Sequence, residues 1–170
     1  MRLFFALRPP EETARALHAW ATTAQQDTGG RVTRAETIHL TLAFLGELPA
    51  ARAAAATAAA SRVSAAAHAM LLEETGYWRH NKIVWAAPRE LPAALGALAA
   101  RLGEELGKES FALERRAFAA HVTLIRKARA AEKLPEFRAV EWPLREFLLV
   151  RSVLSPQGSS YETLERFALT

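Results

Sequence analysis

The chain has 170 residues, 5 His and no Cys, a length that suits one domain over 1–170 and a composition that excludes disulfides, thiolate zinc sites and cysteine nucleophiles. Its formal net charge of +4 rests on 18 Arg and 4 Lys against 17 Glu and a single Asp, Asp27; an Arg surplus suits phosphate ligands, although 37 Ala residues point equally to GC-rich codons, and the unclustered acids argue against a carboxylate metal centre. The opening apolar run, Leu3 to Leu7, is shorter than a signal core, and the Ala-rich stretch 53–69 is broken by Thr57, Arg62 and His68, so the expectation is a soluble, cytoplasmic protein with no membrane contact.

In chain order, Leu3 to Leu7 reads as a buried strand stopped by Pro9-Pro10. Ala14, Leu17, Ala21 and Ala24 then recur at helical spacing until Gly29-Gly30. Ile38 to Leu45 reads as a strand, and 50–69 as a helix on the strength of its alanines. Met70 to Thr75 and Lys82 to Ala86 follow as strands. Residues 91–106 place Leu91, Leu95, Leu98, Leu102 and Leu106 on one helical face. Further strands are expected at 119–126, after a short polar connection at Glu146 to Leu154, and at Tyr161 to Leu169. The order strand, proline loop, helix, strand thus occurs twice, with Leu3 answering to Ile83 and His39 to His121. The pattern predicts an α+β protein of two pseudo-symmetric lobes, each an antiparallel sheet backed by helices, with a groove between them.

The matching strands carry the same tetrapeptide pattern, His39-Leu40-Thr41-Leu42 and His121-Val122-Thr123-Leu124. Residues two apart in a strand share a face, so each imidazole sits beside a hydroxyl. Leu40, Leu42, Phe44, Val122 and Leu124 then belong to the core face. With 12 Thr in the chain, a given His has Thr two places on by chance about 7% of the time. Two such pairs at matching positions of a repeat are not a coincidence of that kind. His18, His68 and His80 lack the pattern and read as surface or packing residues.

Near neutral pH one imidazole can take a proton while another gives one, which is what in-line attack on phosphorus needs. Threonine hydroxyls and a cation can hold the non-bridging oxygens. The chain contains neither a Gly-x4-Gly-Lys-Ser/Thr loop nor a Gly-x-Ser-x-Gly elbow. Two neutral imidazoles without further donors make an incomplete zinc shell.

These segments resemble the two-histidine (2H) phosphoesterases, and among them the bacterial and archaeal RNA 2′,3′-cyclic phosphodiesterases, also called 2′-5′ RNA ligases. The resemblance covers essentially the whole chain. It rests on Met1-Arg-Leu-Phe-Phe-Ala-Leu7, His39-Leu-Thr-Leu-Ala-Phe-Leu-Gly46, His121-Val-Thr-Leu-Ile-Arg-Lys127, and Leu149-Val-Arg-Ser-Val-Leu-Ser-Pro-Gln-Gly158 followed by Tyr161. It implies His39 as general acid, His121 as general base, and Thr41 and Thr123 as phosphate holders. Arg126 matches the family's phosphate- or base-contacting arginine, although strict alternation turns it away from His121. Ser152 is a candidate substrate contact. Phe5 is a candidate to stack on a base, as aromatics in such grooves do, or else a core residue of a buried strand.

The activity implied is metal- and cofactor-independent hydrolysis of an RNA terminal 2′,3′-cyclic phosphate to a 2′-phosphomonoester by a monomer. ATP-independent 2′-5′ ligation would be its reverse. The alternatives are a related phosphodiesterase acting on 2′-5′ oligonucleotides or small cyclic nucleotides, and a non-catalytic RNA-binding module.

Overall fold

The computed structural model describes residues 1–170. The apolar run forms β1 (Arg2–Leu7), whose residues from Leu3 onward are all buried. Pro10 stands at the N-cap of α1 (Glu11–Thr28), where a missing N–H costs nothing, and Glu11 and Glu12 favour the positive helix end. Gly29 and Gly30, with φ of 60° and 83°, end the helix and turn the chain into β2 (Arg31–Val32). A 3-10 turn at 35–37 leads to β3 (Leu40–Glu47) and α2 (Ala51–Ser61). Then come β4 (His68–Leu72), β5 (Glu74–Trp78), β6 (Ile83–Ala87) and α3 (Ala93–Lys108). The chain closes with β7 (Val122–Arg126), β8 (Val140–Leu144), β9 (Glu146–Ser155) and β10 (Gly158–Ala168).

Two expectations need correction here. The Ala-rich helix stops at Ser61 rather than 69, because the chain from His68 pairs with β8 as a strand, Met70 opposite Trp142. Helix propensity is a local preference, and burial of both of these side chains overrides it. The strand expected over Met70 to Thr75 is in fact the end of β4 and the start of β5. These belong to different sheets, with Glu73 at the crossing between them.

The larger sheet runs β10-β9-β1-β3-β7-β6-β5, with β2 added beside β7, and every pairing in it is antiparallel. It consists of two halves, β10-β9-β1-β3 and β7-β6-β5 with β2. They touch through a single residue pair, Leu40 opposite Val122. Strands β1 and β3 repeat as β6 and β7, as the sequence offset predicts.

The helices cross over between the halves. Helix α1, entered from β1, packs on β2 and β7 of the second half, and α3, entered from β6, packs on β3 of the first. Leu95, Leu98, Leu102 and Leu106 of α3 are fully buried, as their spacing predicts, whereas Leu91, expected on the same face, precedes the helix and is exposed, because Pro92 at the N-cap starts the helix only at Ala93. One cluster of 32 buried residues draws on both halves, all three helices and the small β4–β8 sheet. The core therefore lies behind the joint, and the opposite face of the joint is left open as a groove.

Candidate active site

The joint itself explains the histidine motifs. Leu40 and Val122 are the residues between His and Thr in the two motifs, and they pair with each other, both completely buried. Continuing that antiparallel register sets His39 across from Thr123 and Thr41 across from His121. Burial of the two intervening side chains turns all four polar ones to the other face, where they line one groove of about 570 Å³.

Each imidazole is tied back in the same way. Nδ1–H of His39 donates to the Thr37 carbonyl at 2.8 Å, and Nδ1–H of His121 donates to the Ala119 carbonyl at 2.9 Å. That bond selects the tautomer and leaves Nε2 of each ring for the groove. His68 makes the equivalent local bond to Ala66, so the bond alone does not mark a site. The pairing across the joint does. Nε2 of His39 also accepts from the Thr41 hydroxyl at 3.1 Å. Phe4 and Tyr161 lie 5.1 and 5.2 Å from the His39 ring, and Trp78 lies 4.7 Å from that of His121. Burial between its aromatic neighbours holds His39 below its ordinary pKa, against the pull of the Thr37 carbonyl. The positive charges of Arg126 and Arg8 lower it further, as does proximity to the His121 ring.

Arg2, Arg31, Arg34 and Arg126 line the groove, and no Asp or Glu does. Arg126 reaches it through a bulge. The β6–β7 register slips between Val84 and Trp85, so that Leu124 and Ile125 are both buried and Arg126 turns to the side of Thr123. The same device brings in the residue five places after the first histidine. Register slips between β1 and β3 put Phe44 in the groove, 47% exposed, with the Arg2 guanidinium 5.1 Å from its ring. Phe44 was expected in the core. Strict alternation fails in both strands at the same place.

Of the residues expected to form a site, His39, His121, Thr41, Thr123, Arg126 and Ser152 all line this groove. Phe5 does not, and its proposed stacking role is corrected. It is fully buried on the core face, 6.1 Å from both Phe147 and Phe167. The aromatic beside the histidine is Phe4, which sequence reasoning missed. A usable signal was present: Arg2 cannot face the core, and Phe4 shares its parity. Tyr161, paired opposite Ser152 and packed edge-on against Phe4 at 5.2 Å, was also missed as a site residue. No group of three or more His, Asp or Glu converges in the chain to hold a metal.

Known proteins share both the sequence and the shape. The profile of the LigT like Phosphoesterase family matches residues 7–85, which include the first motif. An RNA 2′,3′-cyclic phosphodiesterase of Escherichia coli is 33% identical over 99% of this chain and 97% of its own length. One of Thermus thermophilus is 35% identical over 99% of this chain and 90% of its own. The crystal structure of E. coli LigT in apo form superposes with a TM-score of 0.90 at 32% identity, covering 99% of this chain and 97% of that one. Its complex with 3′-AMP gives 0.91 at 31%, with 99% and 98% covered. The MHV ns2 PDE domain shares only the fold, with a TM-score of 0.61 at 10% identity. With relatives this similar over nearly its whole length, the chain belongs to the RNA 2′,3′-cyclic phosphodiesterases of the LigT-like phosphoesterase family.

Proposed function

We propose that the protein hydrolyses the terminal 2′,3′-cyclic phosphate of RNA to a 2′-phosphomonoester, without metal or nucleotide cofactor. The observation that carries this reading is the pair of imidazoles with Nδ1 tied back and Nε2 turned to one arginine-lined groove that has no carboxylate, that of His39 meeting only the Thr41 hydroxyl. Such a groove favours an anion, and two positioned imidazoles suit in-line displacement at phosphorus. His121 Nε2 takes a proton from water as its oxygen bonds to phosphorus. The bond from phosphorus to the 3′ oxygen breaks, and protonated His39 Nε2 gives its proton to that oxygen. Thr41, Thr123 and Arg126 hold the non-bridging oxygens while charge builds. Ser152 sits at the edge of the same groove and contacts the substrate from β9. Reversal, with an RNA 5′-hydroxyl in place of water, gives a 2′-5′ linkage without ATP.

His39 starts neutral in the free protein, because its pKa is lowered. Its acid role therefore requires a proton acquired with the substrate, whose negative charge offsets the neighbouring arginines. The 3′-AMP complex of the E. coli relative supports a nucleoside phosphate as the occupant. No helix is long and apolar enough to cross a membrane. The reading is of a cytoplasmic monomer, and the core shared by both halves supports its acting as one unit.

The test is incubation with RNA ending in 2′,3′-cyclic phosphate and excess chelator, with products identified by phosphorus NMR. A 2′-phosphomonoester is expected, and His39→Ala or His121→Ala should each cut turnover by about 10²–10⁴-fold. The double variant should be little worse than either single, because the pair acts as a unit. A 3′-phosphate product, zinc-dependent turnover, or near-full activity in either single variant would overturn the reading.

A further inference from the structure

Next to the groove, Arg79, Lys82, Lys127 and Arg129 surround a second depression floored by Tyr77 and Ala128, and no carboxylate lines it. The chain has 18 acidic residues, and eight of its arginine and lysine side chains are ion-paired, yet none of these four is. The depression is braced from behind. Ala128 N–H donates to the Lys82 carbonyl at 2.9 Å, the Tyr77 hydroxyl donates to the Ala128 carbonyl at 3.1 Å, and Arg129 N–H donates to the Thr28 carbonyl at 2.8 Å. Lys82 and Lys127 are two of only three non-glycine residues with positive φ, at 56° and 54°. Glycine or asparagine fits such backbone more easily than lysine does. Here two side chains that carry charge stand where the backbone would prefer none.

The depression adjoins the groove at Asn81, which lines both. Lys127 follows Arg126 directly in the chain, so neighbouring residues contribute one cation to the groove and one to the depression. A mononucleotide fills only the groove, whereas RNA brings further phosphates at regular spacing, which unpaired cations attract. Resting on the hydrolase reading above, we propose that Arg79, Lys82, Lys127 and Arg129 form a second phosphate subsite for the backbone of the substrate RNA beyond its terminal nucleotide. The site makes the enzyme prefer polymer ends to free cyclic nucleotides.

The experiment compares a 2′,3′-cyclic mononucleotide with a short RNA carrying the same cyclic end. The variants are the double change Lys82→Gly with Lys127→Gly, and the single change Arg79→Glu. Glycine relieves the left-handed backbone, so the double variant should melt no lower than the parent while losing two charges. For RNA, KM should rise about tenfold, with kcat unchanged and the salt dependence of binding reduced by about one unit of slope per lost contact. Both constants for the mononucleotide should stay within about twofold. Equal effects on the two substrates, or none on RNA, would overturn the subsite. Failure of the parent to turn over either substrate would overturn the hydrolase reading instead. Fluorescence anisotropy with the 2′-phosphate-ended RNA reads the subsite independently of turnover: unchanged affinity in the variants overturns it, and about tenfold weakening supports it.

Discussion

His39 is enclosed on two sides by rings, Phe4 and Tyr161, and these belong to a small apolar cluster of Phe4, Ala6, Leu148 and Val150 on the groove side of the sheet. His121 rests on Trp78, and its Nδ1 bond is exposed where that of His39 is partly buried. The two motifs are alike in sequence, but the third and fourth strands of their halves supply unlike surroundings. Because burial lowers the His39 pKa, folding favours its neutral form, while the unfolded chain takes up a proton near the ordinary value of about 6.5. This group therefore makes no difference to stability above the unfolded pKa, and it weakens the fold as pH falls through that value towards the lowered folded one. An anion in the groove acts against this by favouring the charged ring. Sulfate keeps its charge over this range and makes a clean probe. Its affinity should climb as pH falls from about 8 to about 6, and NMR should show the His39 pKa moving upward at saturating sulfate. A His39 titration that ignores sulfate would separate its protonation from anion binding, and with it the loading of the acid by substrate.

At the scale of the element, the site depends on where two strands depart from regularity. Bulges three residues after each histidine, at Leu42 and Leu124, bring Phe44 and Arg126, five residues after it, into the groove at equivalent places, one a ring and the other a cation. Alternation is legible in a sequence, and it located His39, Thr41, His121 and Thr123. A bulge is not, because both buried residues in Leu124-Ile125 look like ordinary core, and only the partner strand's register reveals the slip. Strand β8 escaped for a related reason: Val140-Glu-Trp-Pro-Leu144 contains a proline and a glutamate, and its strand state is imposed by pairing with β4. The end of β7 is held in turn by Gly30. A Cβ there would stand 2.4 Å from the Arg126 carbonyl oxygen, on backbone with φ of 83°. Gly30→Ala should therefore cost about 1–3 kcal/mol of stability, seen as a lower Tm, and it should raise KM by displacing Arg126. An alanine variant with the parent's Tm and KM would show that this contact does not position the arginine.

Across the whole molecule, charge and packing are both divided unevenly. The groove and the depression beside it hold only cations. The hollow between α1 and residues 136–141 instead carries three acids, Glu12, Glu136 and Glu141, against one cation, Arg138. An RNA end approaching this surface meets a field that favours one face. The packing crosses between the two lobes: the repeat predicts the two-part sheet and its backing helices, but it does not show that each half is covered by the other half's helix. That exchange leaves neither repeat able to bury its own sheet face, since α1 lies on β7 and α3 on β3. Cutting the chain between Ala66 and Ala67, both exposed and outside any helix, separates the histidines into two fragments. Fragment 1–66 would retain α1 without β7, and 67–170 would retain α3 without β3. Each alone should lack cooperative thermal unfolding and dispersed amide resonances, because the shared core of 32 residues is divided between them. Mixed together from denaturant, they should recover both unfolding cooperativity and cyclic phosphate hydrolysis, with a midpoint that rises with concentration as expected for association. A fragment that folds cooperatively alone would mean that the crossed helices are dispensable covers, and that each lobe holds its own core.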